Sequence, residues 1–385
     1  MKKSLHLFLA VTAVFVLLVS ACAPAAPATT APPPTQAPTE APTATEAPTA
    51  TEAPTEAPTQ APTEAPTAAP PTNTPAPAAV CDKLSDAPAA PAAGGLGSAD
   101  NPIVITFVPS GDTGKITTAG TAIADCLSQM TGLSFKMEVG TTFAASIEAM
   151  GAEKAQVGFL NTFSALLGGV KYGITPALVA IRKYATNDVD PDKNLAGQLE
   201  PFYKGQFIAN TSSGISSFAD LKGKTFCFVD PNSTSGYIIP RIILAANGIN
   251  PDTDFAATQN AGSHNNVAIA VYKGDCDAGV TYINVLTDTS ANLAAQYPDI
   301  TDKVKPFAVT PPIPNDGMQF IKSLDPNLKK VIVEGMLAMA NDPGGKAVLK
   351  SLYNYDSFQE VDATFYNEFL AVLQKAGVDP ATLVK

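Results

Sequence analysis

The chain has no tryptophan, two histidines and five cysteines, and only 15% of its 385 residues are charged. His6 lies in an apolar leader, so any imidazole chemistry after that leader falls to His264 alone. No CxxC pair or Cys/His ligand spacing appears, which excludes the familiar zinc frameworks, and no cofactor is expected. No Gly-x-Ser-x-Gly elbow is present either, which argues against a serine hydrolase. From Ala23 to about Ala79 there is neither lysine, arginine nor any aromatic side chain. Such a stretch cannot bury a core.

What is present begins with an address. Lys2 and Lys3 precede an apolar run from Leu7 to Val19, closed by Val19-Ser20-Ala21-Cys22. This reads as a secretory leader over residues 1–21 with a lipobox-like cut, leaving Cys22 as a lipidated N-terminus on the outer face of the cell membrane. Simple secretion and an uncleaved anchor are the alternatives. Residues 22–80 repeat Ala-Pro-Thr-Glu, a composition that favours extended polyproline II at about 3.1 Å per residue. The expectation is a disordered, semi-rigid tether with O-glycosylation possible at its threonines.

The formal charge is −11. Removing the +2 of Lys2 and Lys3 and the −5 of Glu40, Glu46, Glu52, Glu56 and Glu64 leaves −8 on the remainder. An acidic body argues against nucleic acid and anionic lipid surfaces, while a local anion site built from dipoles and hydroxyls stays open. Beyond Cys22 the four cysteines suit an oxidising compartment. Cys227 and Cys276 sit by neighbouring strand-like runs and form one candidate bridge, leaving Cys81 with Cys126; buried free thiols are the alternative.

From about Asn101 onward, strand-like and helix-like segments alternate as in an α/β protein with mainly parallel sheets. Ile103 to Val108 is the first strand, and a helix follows near Thr118 to Met130. Two later stripes, Leu328/Val331/Ile332/Gly335/Met336/Met339 and Phe365/Phe369/Val372/Leu373, read as core-facing helix. About 285 residues exceed one usual core, so two lobes are expected, with Tyr203–Asn210 and Lys305–Val309 crossing between them.

The chemistry gathers at Asp230-Pro231-Asn232-Ser233-Thr234-Ser235-Gly236-Tyr237, where a strand, Thr225 to Val229, hands over to a helix, Tyr237 to Asn247. Three hydroxyls and the open N–H groups of a first helical turn form a cradle for an oxyanion, with Gly236 allowing close approach. Alone, the run reads first as an ordinary serine or threonine N-cap after a β-α turn.

Taken with Ile238-Ile239-Pro240, Gly262-Ser263-His264, Gly274-Asp275-Cys276-Asp277-Ala278 and Pro311-Pro312-Ile313-Pro314-Asn315-Asp316, this run resembles the signature blocks of the phosphate/phosphite/phosphonate substrate-binding proteins of ABC importers. Phe143 to Leu167 is similar to their first-lobe region. The resemblance, over roughly Ile103 to Lys385, implies a two-lobed α/β fold of the type II periplasmic-binding-protein kind, with a ligand cleft between the lobes. The expected division is 101–203 and 307–385 for the first lobe and 204–306 for the second. Carried over residue by residue, Ser233, Thr234 and Ser235 grip the oxyanion, His264 donates an N–H, and Tyr203 and Asp316 stand nearby. Phe143 replaces a ligand-facing tyrosine, and Asn284 stands where binders of aminoethylphosphonate place a glutamate, which points away from aminoalkyl ligands. The implied partners are a small oxyanion and an ABC permease. Another small ligand, a sensor role, or a hydrolase using His264 are the rival readings.

Overall fold

In the computed structural model the described residues are 78–382. The leader, Cys22 and the tether up to residue 77 lie outside them. The first lobe opens with β1 (Ile103–Phe107), α1 (Thr113–Thr131), β2 (Phe135–Val139), α2 (Phe143–Gly151), β3 (Val157–Leu160), α3 (Thr162–Tyr172) and β4 (Thr175–Lys183). Two short strands, β5 (Leu199–Glu200) and β6 (Phe202–Tyr203), lead out of it. The second lobe contains β7 (Gly205–Asn210), β8 (Thr225–Phe228), α4 (Ile239–Ala246), β9 (Ala257–Asn260), α5 (His264–Lys273), β10 (Ala278–Tyr282), α6 (Leu293–Gln296), α7 (Ile300–Lys303) and β11 (Val304–Val309). The chain returns through β12 (Ile313–Pro314), β13 (Gly317–Phe320), α8 (Pro326–Asn341), α9 (Pro343–Tyr353), β14 (Ser357–Glu360) and α10 (Asn367–Lys375).

β1 is buried along its whole length because it lies between β2 and β3, both parallel to it. Burying Ile103, Ile105 and Phe107 contributes roughly 1.5–3 kcal/mol each. α1 starts at Thr113, five residues before the sequence suggests, because the Asp112 carboxylate caps the first turn by accepting from the Lys115 N–H. Gly132 ends it in the left-handed conformation.

The sheets are mixed rather than mainly parallel. In the first lobe the order is β14-β4-β13-β3-β1-β2, with β5 on β4, and β13 lies antiparallel between β3 and β4. In the second it is β11-β7-β10-β8-β9, with β7 antiparallel to both β10 and β11. Both departures follow from a chain that crosses between lobes twice, since each returning strand enters the sheet against its neighbour's direction. The crossings run side by side: the Gly205 N–H donates to Thr310 Oγ1 at 2.8 Å, and the Thr310 N–H donates to the Gly205 carbonyl at 3.0 Å. β11 completes its ladder on β7, so the return begins after Val309 rather than at residue 307.

Two further boundaries differ from the sequence reading. Residues 78–80, assigned to the tether, rest on the start of α9: the Val80 N–H donates to Asp342 Oδ2 at 3.0 Å, and a Cβ on Gly344 would lie 2.2 Å from the Ala78 carbonyl oxygen. In α10, Phe369 and Leu373 bury against Phe163 and Ile313, but Val372 is 57% exposed and faces outward.

Cys81 is bonded to Cys126 and Cys227 to Cys276, with 45 and 49 residues separating the partners. A loop of that length corresponds to roughly 4 kcal/mol in the chain-entropy account. Replacing both Cys81 and Cys126 by serine is expected to lower stability by about 2–4 kcal/mol, read as the denaturant midpoint with an unchanged slope. An unaltered midpoint would show that the bridge adds nothing.

Candidate oxyanion-binding cleft

A cavity of about 100 Å³ lies in the cleft, lined from the first lobe by Phe143, Arg182, Tyr203, Asp316 and Tyr353 and from the second by Ser233, Ser235, His264, Tyr282 and Asn284. A cavity needs at least about 10–15 Å³ of such space to hold one water, so this one is well above that threshold. That suits an oxyanion with a short substituent. Across this cleft Asn161 Nδ2 donates to the Asn232 carbonyl at 2.8 Å, the His264 N–H to the Ser110 carbonyl at 3.0 Å, and Lys115 Nζ to the Thr289 carbonyl at 2.7 Å. The lobes are therefore closed on each other.

The Ser-Thr-Ser run is shaped by its neighbours Gly236 and Pro240. Asp230 Oδ1 accepts from the Asn232 N–H at 2.8 Å, closing the turn after β8. The chain then makes one π-helical turn, Thr234–Ile238, before α4, so the helix is not α-helical from Tyr237 as its sequence suggests. Pro240 lacks the N–H that would bond the Gly236 carbonyl, and that carbonyl accepts from the Val229 N–H at 3.0 Å instead. Gly236 serves packing rather than ligand approach, because a Cβ there would lie 2.3 Å from Val229 Cγ2.

The three hydroxyls diverge. Ser233 Oγ accepts from the Gly236 N–H at 3.2 Å and Ser235 Oγ accepts from the Tyr203 hydroxyl at 3.2 Å. Both serines face the cavity with their own protons free to donate. Thr234 does not line it: its Oγ1 accepts from the Phe163 N–H of the first lobe at 2.9 Å, joining lobe to lobe. The hydroxyl that the sequence analysis expected to grip a ligand is thus placed between the lobes instead of on the cavity wall.

His264 opens α5, behind Ser263, whose Oγ caps the helix by accepting from the Asn266 N–H. Its Nδ1 accepts from the Tyr282 N–H at 3.1 Å, so the neutral ring carries its proton on Nε2. Burial lowers the imidazole to about 3, which keeps it neutral and a single N–H donor at physiological pH. The same tautomer leaves no lone pair on Nε2 to deprotonate a serine, which weighs against the hydrolase. Burial likewise raises the Tyr203 hydroxyl to about 12, keeping it a donor to Ser235.

Asp316 does not face the cavity as a bare negative charge. Its Oδ1 lies 2.6 Å from Arg182 Nη2 and its Oδ2 accepts from the Tyr355 hydroxyl at 2.7 Å. Arg182 also donates from Nη1 to Asn315 Oδ1 at 2.7 Å and from Nε to the Tyr353 carbonyl at 3.1 Å, and lies over the rings of Tyr355 and Tyr203. Burial opposes its charge, yet the Asp316 carboxylate raises the guanidinium above its ordinary range. The sequence reading missed Arg182. Its one signal was an arginine at the end of the apolar run Leu178-Val179-Ala180-Ile181. Phe143 and Asn284 both line the cavity, and Asn284 is held at a φ of 57°. Among the described residues no group of three His, Cys, Asp or Glu side chains is placed to hold a metal ion.

The family model described as "ABC transporter, phosphonate, periplasmic substrate-binding protein" matches residues 105–366. The chain belongs to this family. Among curated relatives, the phosphate-import protein PhnD of Mycolicibacterium smegmatis is 27% identical over 194 residues, which is 49% of this chain and 57% of that protein. The phosphonates-binding periplasmic protein of Escherichia coli is 28% identical over 227 residues, 55% of this chain and 64% of the relative. The match thus spans under two thirds of either relative.

Two solved structures share the architecture. A binding protein component of an ABC phosphonate transporter from Pseudomonas aeruginosa has a TM-score of 0.61 at 22% identity, covering 71% of this chain and 87% of its own. PhnD1 of Prochlorococcus marinus, solved with methylphosphonate, has a TM-score of 0.59 at 18% identity, covering 71% and 98%. At these identities the likeness establishes the fold, a two-lobed periplasmic-binding-protein architecture.

Proposed function

We propose that this chain is the extracytoplasmic solute-binding component of an ABC importer and captures phosphate, phosphite or a small phosphonate in the cleft between its lobes. The observation that carries the reading is the convergence of neutral donors from one lobe, Ser233 Oγ, Ser235 Oγ and His264 Nε2, on a cavity closed by Tyr203 and Arg182. One charge-assisted hydrogen bond returns only about 1.5–3 kcal/mol, so an oxyanion leaving water needs several at once. Closure of the two lobes is the signal a permease reads. Tethering through a lipidated Cys22 belongs to the same proposal; among the described residues no helix is long and apolar enough to cross a membrane.

The test is isothermal titration with phosphate, phosphite and methylphosphonate, since the absence of tryptophan makes fluorescence a poor reporter. Ser235→Ala and His264→Ala are each expected to weaken binding of the preferred anion by about 1–3 kcal/mol. A folded protein that gives no heat with any of the three, or dissociation constants unmoved in both variants, would refute the reading.

A further inference from the structure

The segment between β4 and β5 is longer than a hairpin needs. The pairing of the two strands continues outward, with the Tyr184 N–H donating to the Gln198 carbonyl at 2.7 Å and the Gly197 N–H to the Tyr184 carbonyl at 2.9 Å. About two to five residues suffice to close a hairpin. Here residues 185–196 run on with a single short 3-10 turn, Lys193–Leu195. Connections of that length with so little regular structure are usually functional in a compact domain.

The tip of this loop is fastened to the first crossing between the lobes. Lys204, between β6 and β7, is only 2% exposed, and its ammonium lies 2.8 Å from Asp190 Oδ1 and 2.5 Å from Asp192 Oδ2. Asp190 is buried as well, and accepts from the Tyr184 hydroxyl and from the Asp192 N–H, both at 3.0 Å. Two residues further along the strand, Gln206 Oε1 accepts from Asn187 Nδ2 at 2.8 Å, while Gln206 Nε2 donates to Thr281 Oγ1 on β10 at 3.2 Å. Burial opposes both charges of the Lys204–Asp190 pair, yet the partners hold the ammonium above its ordinary range and the carboxylate below its own.

Side chains alternate between the two faces of an extended strand. Lys204 and Gln206 turn toward the loop, and Tyr203 and Gly205 turn toward the Ser-Thr-Ser run. The Tyr203 hydroxyl donates to Ser235 Oγ at 3.2 Å, and a Cβ on Gly205 would lie 3.1 Å from Ser235 Cβ. The crossing strand is thus held between the loop on one face and the second lobe's hydroxyls on the other. Lys204 itself does not line the cavity.

We propose that residues 184–198 form a strap of the first lobe that holds the crossing strand against Ser235, with Lys204 as a positioning residue that sets the Tyr203–Ser235 contact without touching a ligand. This rests on the oxyanion reading given above and adds to it a control of affinity from outside the cleft. Ser235 presents its own proton to the cavity only while its lone pair is held by Tyr203, and Tyr203 is held in place by the residue that follows it.

The experiment compares Lys204→Met/Asp190→Asn with the parent full chain, by titration calorimetry with phosphate, phosphite and methylphosphonate and by chemical denaturation. Replacing both partners together strands no buried charge, and the new side chains keep much of the old volume. The denaturant midpoint is expected to stay close to that of the parent, and the dissociation constant of the anion that binds to rise about tenfold. The same replacement in a Tyr203→Phe background is expected to cost less than about twofold, because the contact through which it acts is already gone. Asp190→Asn alone leaves Lys204 its exposed partner Asp192, is expected to weaken binding about threefold, and decides the matter if the double variant does not fold.

An unchanged dissociation constant in the folded variants, or a loss that adds in full to that of Tyr203→Phe, would overturn the inference and leave the binding function standing. A folded parent chain that takes up none of the three anions would overturn both.

Discussion

Replacing Arg182 by alanine is expected to weaken anion binding by about two orders of magnitude or more, a larger loss than removal of any single hydroxyl in the cleft. The reason lies in what is left behind. Asp316 loses the guanidinium 2.6 Å away and remains a largely buried carboxylate held by the Tyr355 hydroxyl alone. Breaking a buried pair at one partner costs roughly 3–5 kcal/mol, because the survivor's charge is no longer compensated. That carboxylate then lines the cavity and repels the ligand directly. Arg182 also anchors Asn315 and the Tyr353 carbonyl, so part of the loss appears as stability. The double replacement Arg182→Ala/Asp316→Ala separates the two effects: if stranded charge dominates, it recovers a substantial part of the affinity lost in the single variant. Titration calorimetry on all three proteins reads this out, and equal affinity of Arg182→Ala and the parent chain would refute the role given to the pair.

That pair marks the limit of what the sequence could disclose. Signature blocks are contiguous, and local chemistry made Ser233, Ser235 and His264 legible because strand, turn and helix cap are written within a few residues. Arg182 lies at the end of β4 and meets Asp316 only because β13 returns from the other lobe to pair with β4. No local pattern encodes that meeting. Thr234 shows the opposite case. Its chemistry was legible, but its direction depends on a π turn that Pro240 forces and on the Phe163 N–H arriving from α3. The same holds for sheet sense: alternating segments announce an α/β protein, while the antiparallel entries of β7, β11 and β13 come from crossings that alternation cannot count. Side-chain type was readable wherever the partner was local, and partnership was unreadable wherever the chain left one lobe and returned.

Gly317→Ala is expected to be the most damaging small substitution near the site. Gly317 opens β13, the strand wedged between β3 and β4, and a Cβ there would lie 1.9 Å from the Leu178 carbonyl oxygen and 2.9 Å from Val179 Cα. Both are backbone atoms of β4, with no rotamer to relieve the clash. The strand must move away or bend, at about 3 kcal/mol or more, the upper end of overpacking costs. Because Asp316 immediately precedes this glycine and Arg182 stands on β4, the displacement also pulls the ion pair apart, so affinity should fall with stability. Gly335→Ala in α8 is the matched control. Its new methyl would meet Leu127 Cδ2 at 2.7 Å, the end of a side chain that can turn, while alanine gains about 1 kcal/mol of helix propensity over glycine. Chemical denaturation should show a midpoint far lower for Gly317→Ala than for Gly335→Ala, with binding impaired only in the former. Comparable midpoints would mean that β13 yields to β4 at little cost, and that the position of Asp316 is set by the turn before it rather than by the sheet.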